Sequence, residues 1–207
     1  MDANALTEQE RFWAGEFGTA YAERNEGEGW VAANTALFAK ILARTGRLDG
    51  VVEFGASIGL NLLALQRLQP GLICTGIEIN ADAHRKLEKL PGVKAIHGSL
   101  LGAEGVPQAD MALIKGVLIH QAPDSLPMVY DLLARTARRF VVIAEYYSPS
   151  PVEIPYRGHS GKLFKRDFAG EFLDRNPSWK VIDYGFVWRR DPLFPQDDVN
   201  WFLLARN

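Results

Sequence analysis

The sequence predicts an α/β fold with a mostly parallel sheet, helices on both faces and an antiparallel hairpin at its C-terminal end. Between residues 50 and 144, short apolar segments alternate with helical ones, as in successive βαβ units. Residues 179–188 and 199–205 are two strand patterns with no helix between them, so we expect them to pair antiparallel. The 207 residues, 47% of them apolar, suit one domain with a full core. We therefore expect residues 1–207 to form a single domain.

The predicted elements follow one another along the chain. Residues 8–25 have a helical pattern, and the glycine-rich stretch that follows indicates a hinge, so residues 1–29 are predicted to form an N-terminal helix that closes as a lid. A second helix covers residues 30–45. Residues 145–167 interrupt the alternation and are predicted to be a substrate loop, because long loops in compact domains are often functional. Strands are predicted at 50–54, 72–77, 93–96, 111–114 and 140–144, and helices at 58–68, 81–90 and 125–138.

The bulk composition narrows the possible classes of protein. A net charge of −2 argues against a dedicated nucleic-acid binder, which usually carries a strong basic excess. The single cysteine, Cys74, provides neither a disulfide framework nor a cysteine metal cluster, so we expect no metal site and a reducing, cytoplasmic environment. The polar N-terminus and the short apolar runs predict neither a signal peptide nor a membrane span. The sequence does not indicate an oligomeric state.

The strongest motif lies between the first predicted strand and the helix that follows it. Glu53 ends the strand, where ligands bind in open α/β sheets. Gly55, Ser57 and Gly59 follow at alternate positions, and Gly55 allows a tight turn and close approach to a ligand. A dinucleotide fingerprint requires a glycine at position 60, where this chain has Leu60. The pattern instead resembles the first motif of the class I S-adenosylmethionine-dependent methyltransferases, whose fold is Rossmann-like.

The resemblance to that motif implies cofactor contacts at the ends of the next strands as well. Glu78 lies 23 residues after Gly55 and could accept hydrogen bonds from both ribose hydroxyls. The loop after the third strand would border the adenine, and the loop after the fourth strand would lie beside the transferred methyl group. Each feature also has a plain structural explanation, such as a solvated acid or a capping serine at a helix start. The candidate cofactor residues of these loops are Glu78, Ile79, Ser99, Leu100, Lys115 and Val117.

Several segments together resemble one family, the pseudaminic acid biosynthesis-associated methylases. The matching segments are FWAGEFG with Tyr21 and Arg24-Asn25, EFGASIGLN at 53–61, KGVLIH at 115–120, EYYSP at 145–149 and YRG at 156–158. The resemblance covers nearly the whole chain, and its N-terminal and EYY segments are more specific than the glycine motif. The serine at position 57 belongs to this family's own version of that motif.

The resemblance implies an S-adenosylmethionine-dependent methyltransferase that acts on a nine-carbon acidic sugar of the pseudaminic or legionaminic type. A plausible acceptor is a nitrogen, such as an acetimidoyl group, on the free or nucleotide-linked sugar. Tyr21 or Arg24 of the N-terminal helix could reach the carboxylate of the cofactor. The family name records an association with a pathway and does not fix the acceptor.

The predicted mechanism is an in-line displacement, in which alignment alone can supply about 7–11 kcal/mol. A cationic nitrogen would first lose a proton to a nearby base, for which Glu145, Tyr147 and His120 are the candidates. Segment 153–167 has four basic and two acidic side chains and would attract an anionic sugar. Candidate substrate-binding residues are Tyr146, Tyr156, Arg157 and His159.

Simpler interpretations of these residues stay open, as do other functions. Glu145 could be a salt-bridged loop acid, His120 a helix cap, and the basic segment a solvated surface. The chain could instead methylate RNA or protein, although it lacks a basic excess and a recognition domain. It could also bind the cofactor without catalysing a reaction.

Overall fold

Three helices precede the first strand in the computed structural model, which describes residues 6–207. They are α1 (Glu8–Ala14), α2 (Glu16–Arg24) and α3 (Glu28–Thr45). The single helix predicted at 8–25 is divided because Gly15 is extended, with φ −90° and ψ −161°. Gly18 then lies so close to α1 that a Cβ there would be 1.9 Å from the carbonyl oxygen of Trp13. The glycines therefore fold α2 tightly back against α1.

The central sheet confirms the predicted fold class. The remaining elements are β1 (Gly50–Phe54), α4 (Leu60–Leu68), β2 (Ile73–Glu78), α5 (Ala81–Leu87), β3 (Val93–His97), β4 (Ala109–Lys115), α6 (Leu126–Thr136), β5 (Ala137–Glu145), β6 (Val152–Glu153), β7 (Phe164–Lys165), α7 (Phe168–Arg175), β8 (Trp179–Val187) and β9 (Val199–Arg206). Seven strands form the sheet in the order β3-β2-β1-β4-β5-β9-β8. β1 to β5 run parallel, and β9 pairs antiparallel with both β5 and β8. The strand order reverses direction between β1 and β4, which is where ligands bind in open α/β sheets.

Apolar cores lie on both faces of the sheet. One face packs against α3 and α4, where Phe38 and Leu65 are fully buried. The other packs against α6 and α7, where Leu133 and Phe172 are fully buried. Because both faces are covered, β1 is buried along its whole length, as expected for a central parallel strand. None of the helices in the described part of the chain combines the length and apolarity that a membrane span requires.

The C-terminal hairpin leaves β8 at one edge of the sheet. Its pairing with β9 shifts register between Val181 and Asp183, which marks a β-bulge. Tyr184 is largely exposed and stacks on Phe202 of β9 at a ring-centroid distance of 6.0 Å. The edge strand therefore carries aromatic side chains in contact with solvent.

Residues 152–165, predicted to lie in a loop, form a small β-hairpin instead. β6 and β7 pair antiparallel, with Val152 opposite Lys165. At its tip, Tyr156 and His159 exchange two backbone hydrogen bonds of 2.8 and 2.9 Å. The two residues between them have positive φ angles, 48° at Arg157 and 84° at Gly158, as a type I′ turn requires. An Arg-Gly pair is a weak sequence signal for this turn, which explains why the hairpin was not predicted.

Candidate active site

A deep cavity lies at the carboxyl ends of β1, β2 and β4, where the strand order reverses. Helices α1 and α2 and the tip of the 152–165 hairpin contribute side chains to it. Residues that line this cavity include Glu10, Trp13, Tyr21, Trp30, Asn34, Gly55, Ser57, Asn61, Glu78, Ile79, Ser99, Leu100, Lys115, Val117, His120, Tyr146, Tyr156 and Asp197.

The glycine-rich turn after β1 is fixed by the strand next to it. The backbone N–H groups of Gly55 and Ala56 both donate to the carbonyl oxygen of Ile77 at 2.9 Å. Gly55 has a φ of 72°, and a Cβ there would lie 2.5 Å from Cγ2 of Val117. This glycine therefore makes room for Val117 as well as for the turn, a contact that the motif itself does not reveal.

The next two positions of the motif have different roles. Ser57 lines the cavity and has a φ of 49°, a left-handed conformation that disfavours a residue with a Cβ. Gly59 is the N-cap of α4 with a φ of 82°, and a Cβ there would lie 2.4 Å from Leu90 and 2.7 Å from Leu87. The structure thus places Gly59 against α5 and its C-terminal extension, outside the cavity lining.

Glu78 ends β2 with its carboxylate at the cavity wall. Oε2 accepts a hydrogen bond from the Ser57 backbone at 2.7 Å, and Oε1 accepts one from the Asn80 backbone at 2.7 Å. Burial raises the pKa of this carboxyl, and the backbone donors partly oppose that rise. Each carboxylate oxygen can accept a further hydrogen bond, so the group can still bind a ligand's hydroxyls.

A group of buried acceptors without donors lies at the end of β1. Glu53 is completely buried, and its Oε1 accepts a hydrogen bond from Asn61 Nδ2 at 2.6 Å. Within residues 6–207, no donor reaches Glu53 Oε2, Asn61 Oδ1 or Asn34 Oδ1. Because unsatisfied buried acceptors are costly, this region is suited to a ligand that supplies hydrogen-bond donors. Burial raises the pKa of Glu53 to about 8, although the Asn61 hydrogen bond and the charge of Lys115 oppose the rise.

Lys115 provides a positive charge in the same part of the cavity. Burial lowers the pKa of its ammonium, while the charges of Glu53, Asp197 and Glu145 act in the opposite direction. The ion pairs and side-chain hydrogen bonds found among the described residues do not include Lys115. An ammonium placed in this way is suited to an anionic group of a ligand.

At the opposite end of the cavity, α1 contacts the loop after β3. The Ser99 hydroxyl donates to Glu10 of α1 and accepts a hydrogen bond from the Leu101 backbone at 2.9 Å. Leu100 and Ile79 add apolar surface here. Together these residues combine apolar surface with a carboxylate and a hydroxyl.

His120 follows β4 and contacts both α1 and the 152–165 hairpin. It is 5% exposed, and its Nδ1 is 2.5 Å from the carbonyl oxygen of Lys162. Its ring packs against Trp13 at a centroid distance of 4.5 Å and against Tyr156 at 5.0 Å. Burial lowers the pKa of His120 to about 4, so the imidazole is neutral at physiological pH.

Glu145 and Tyr147, the other catalytic candidates, lie outside the cavity lining. Glu145 Oε1 accepts hydrogen bonds from the backbones of Val117 and Leu118, both at 2.9 Å. Burial raises the pKa of Glu145 to about 7. Tyr147 is 41% exposed and lies near Phe202. The structure therefore gives Glu145 a role in holding the turn after β4 and places Tyr147 at the surface.

Comparison with solved structures identifies the fold. A Burkholderia thailandensis 1,6-didemethyltoxoflavin-N1-methyltransferase, with bound 1,6-didemethyltoxoflavin and S-adenosylhomocysteine, matches 100% of this chain and 93% of its own with a TM-score of 0.73 and 18% identity. A Synechocystis magnesium protoporphyrin IX methyltransferase with bound SAM matches 99% of this chain and 100% of its own, with a TM-score of 0.69 and 14% identity. This chain has the class I methyltransferase fold.

A glycopeptide N-methyltransferase with the same fold matches 84% of this chain and 90% of its own, with a TM-score of 0.62 and 13% identity. No family model and no curated protein matches the sequence. At these levels of identity the likeness establishes the fold, and the chemistry has to be argued from the residues of this cavity.

Within this methyltransferase fold, the remaining predicted residues are divided between the cavity and its surroundings. Tyr21, Tyr146 and Tyr156 line the cavity. Arg24 lies over the Phe17 ring at 5.7 Å and, like Glu53, is outside the lining. Arg157 and His159 also lie outside it, in the hairpin, where His159 packs against Phe12 at 5.1 Å.

Other lining residues were not singled out from the sequence. Asn34 had a visible signal, because it is a polar residue among the buried apolar positions of α3. Asn61 follows directly after the glycine motif and could also have been noticed. Trp30 and Asp197 had no such signal, because only the folding of the chain brings α3 and the segment before β9 to the ends of β1 and β4.

Proposed function

We propose that this protein is an S-adenosylmethionine-dependent methyltransferase that acts on a small molecule. The observation that carries the proposal is the charge pattern of the cavity at the end of β1. The donor-deficient carboxamide oxygens of Asn34 and Asn61 line the cavity together with the ammonium of Lys115. This pattern complements the ammonium and carboxylate of a bound methionine moiety.

The rest of the cavity fits the rest of that cofactor. Glu78 would accept hydrogen bonds from the ribose hydroxyls, as an acid at the end of β2 does in dinucleotide-binding sheets. Ile79 and Leu100 would pack against the adenine, and Ser99 would meet its polar edge. Gly55, Ser57 and Val117 form the wall between these two ends. When bound, the cofactor supplies an electrophilic methyl group on a positively charged sulfur.

His120 is the side chain best placed to assist the acceptor. The Lys162 carbonyl can only accept a hydrogen bond, so Nδ1 of the neutral imidazole carries the proton and Nε2 is unprotonated. Nε2 would accept the hydrogen of the nucleophilic group and orient its lone pair. Trp13 and Tyr156, which both pack against the ring, would exclude water from the reacting atoms.

Calorimetric titration with S-adenosylhomocysteine tests the cofactor assignment. We expect binding of one equivalent, and we expect Lys115→Met to lower the affinity about tenfold or more, because hydrogen bonds to charged groups contribute about 1.5–3 kcal/mol. Lys94→Met, at an exposed position of β3, is the matched control and should bind normally. Failure of the unmodified protein to bind would refute the proposal.

The finer proposal concerns the acceptor, a nitrogen of a pseudaminic- or legionaminic-type acid. It is supported by the sequence resemblance and by the net positive charge of residues 153–167. Tyr146 and Tyr156 would contact the sugar inside the cavity. Arg157, at the hairpin tip, would hold its carboxylate at the entrance, with His159 nearby.

A panel of acidic amino sugars and their neutral analogues tests this acceptor class. Arg157→Ala should raise the KM for acidic acceptors and leave cofactor affinity unchanged, because the guanidinium would act only on the substrate. Arg157→Lys should restore KM only in part, since a point charge lacks the planar fork. Equal turnover of acidic and neutral sugars, with Arg157→Ala silent, would exclude this docking mode.

A further inference from the structure

We propose that Lys162 is a positioning residue that couples docking of the lid helix α1 to the orientation and tautomer of His120. The backbone of Lys162 holds the imidazole, while its side chain holds the lid. The role of His120 in methyl transfer rests on the proposed function, but the coupling itself concerns only this chain.

The first link is the hydrogen bond between His120 Nδ1 and the Lys162 carbonyl oxygen, at 2.5 Å. A carbonyl has no hydrogen to donate, so this contact selects the tautomer with the proton on Nδ1. It also fixes the plane of the ring. Displacement of this carbonyl would allow the proton to move to Nε2, the nitrogen that needs a lone pair to receive the acceptor's hydrogen.

The second link is the side chain of the same lysine. Lys162 is only 5% exposed, and its Nζ lies 2.5 Å from Glu8 Oε1 and 5.3 Å from the centre of the Phe12 ring. Glu8 and Phe12 both belong to α1. A buried ammonium needs a compensating partner, and among the described ion pairs that of Lys162 is Glu8. The lysine is therefore stabilised in this position by the docked lid.

The third link is direct contact of α1 with the ring and with the hairpin. Trp13 packs against His120, and Gln9 Nε2 donates to the carbonyl oxygen of Gly161 at 3.1 Å. Glu10 and Trp13 of α1 line the cavity, so the docked helix forms part of its wall. Departure of α1 removes the carboxylate from Lys162 and the indole from His120 together. The base is thus organised only when the cavity is closed, which protects the reactive methyl group from water.

Nitrogen-15 NMR of histidine-labelled protein tests this coupling without any turnover. His120 is one of four histidines, and its signals can be assigned by comparison with His120→Asn. In the unmodified protein at pH 7, we expect a protonated Nδ1 and an unprotonated Nε2. Glu8→Gln should mix the tautomers, so that the two nitrogen signals move towards each other. Lys162→Arg, which keeps the charge, should retain most of the original pattern.

The matched control is Glu28→Gln, because Glu28 is also an exposed acid on a helix and pairs with one base, Arg67, at 3.0 Å. It should leave the His120 signals unchanged. An Nε2-protonated ring in the unmodified protein, or an unaltered pattern in Glu8→Gln, would overturn the proposal. Calorimetry with S-adenosylhomocysteine separates this result from the proposed function, because absence of cofactor binding would refute the function and leave the tautomer result valid.

Discussion

The backbone N–H of Ser57 donates to Glu78 Oε2 at 2.7 Å, and this bond joins the turn after β1 to the turn after β2. The Asn80 N–H donates to the other oxygen of the same carboxylate at 2.7 Å. Glu78 is therefore a structural link between two loops of the cavity as well as the proposed ribose ligand. Its replacement should affect both properties.

Glu78→Gln tests this double role. An amide retains one acceptor oxygen and places an NH₂ group opposite a backbone N–H, so we expect S-adenosylhomocysteine to bind at least about tenfold more weakly. Stability should fall by about 1–3 kcal/mol for the donor left unpaired. Calorimetry and urea unfolding measure the two effects, with exposed Glu88→Gln as the control. Normal affinity in the variant would remove Glu78 from the proposed site.

Ser57→Gly should stabilise the protein. The φ of 49° costs a residue with a Cβ about 1–2 kcal/mol, and the extra flexibility of glycine in the unfolded chain offsets part of this gain. We expect thermal unfolding to occur about 2–4 °C higher for each kcal/mol gained. Ser125→Gly should instead lower the melting temperature, since that serine has a φ of −89° and its hydroxyl donates to the Ala122 carbonyl oxygen at 2.7 Å. A lower melting temperature for Ser57→Gly would show that the left-handed backbone conformation of Ser57 is not a source of strain.

Gly55→Ala should destabilise the turn through Val117. The added Cβ would lie 2.5 Å from Val117 Cγ2, in a backbone conformation that already disfavours alanine. In a double-mutant cycle with Val117→Ala, the second change removes the clash, so we expect a coupling energy between about 0.5 and 3 kcal/mol that favours the double variant. Chemical denaturation of all four proteins measures it. Strict additivity would show that the backbone conformation alone requires the glycine.

The free energy of unfolding should depend on pH through Glu53. Burial raises the pKa of this carboxyl to about 8 from its ordinary value of 4.5. Between these values the folded protein keeps a proton that the unfolded chain has lost, so this contribution to stability is complete below pH 4.5 and disappears as the pH rises through 8. Glu53→Gln should reduce this loss of stability at rising pH, whereas Glu88→Gln should not. Urea unfolding measures this free energy at each pH. The same pH dependence in Glu53→Gln and the unmodified protein would refute the raised pKa of Glu53.

Local sequence patterns were sufficient to predict the sheet and the part of the site that follows its strands. Gly55, Ser57, Glu78, Ser99 and Lys115 all lie at the carboxyl ends of strands or within three residues beyond them, and parallel strands bring these ends to one edge. The positions were therefore predictable even though none of the contacts between them was visible in the sequence.

The parts that were not predicted depend on contacts between distant segments. Glu145 follows β5 as the catalytic hypothesis required, but its carboxylate is engaged by the backbone N–H groups of Val117 and Leu118. The hairpin at 152–165 has strands of only two residues, too short to show alternation. The break of the first helix depends on the extended conformation of Gly15, and a single glycine inside a helical pattern does not by itself predict a break.

The bulge in β8 has a consequence for the behaviour of the protein at high concentration. A regular edge strand with exposed aromatic side chains such as Tyr184 and Phe186 can serve as a template for another chain and lead to aggregation. The register shift at Val181 and Asp183 interrupts the row of backbone groups that such a template needs, and the charge of Asp183 opposes close approach of an identical edge. Removal of the residue that makes this bulge should therefore lower solubility before it alters the cavity at the carboxyl ends of β1, β2 and β4.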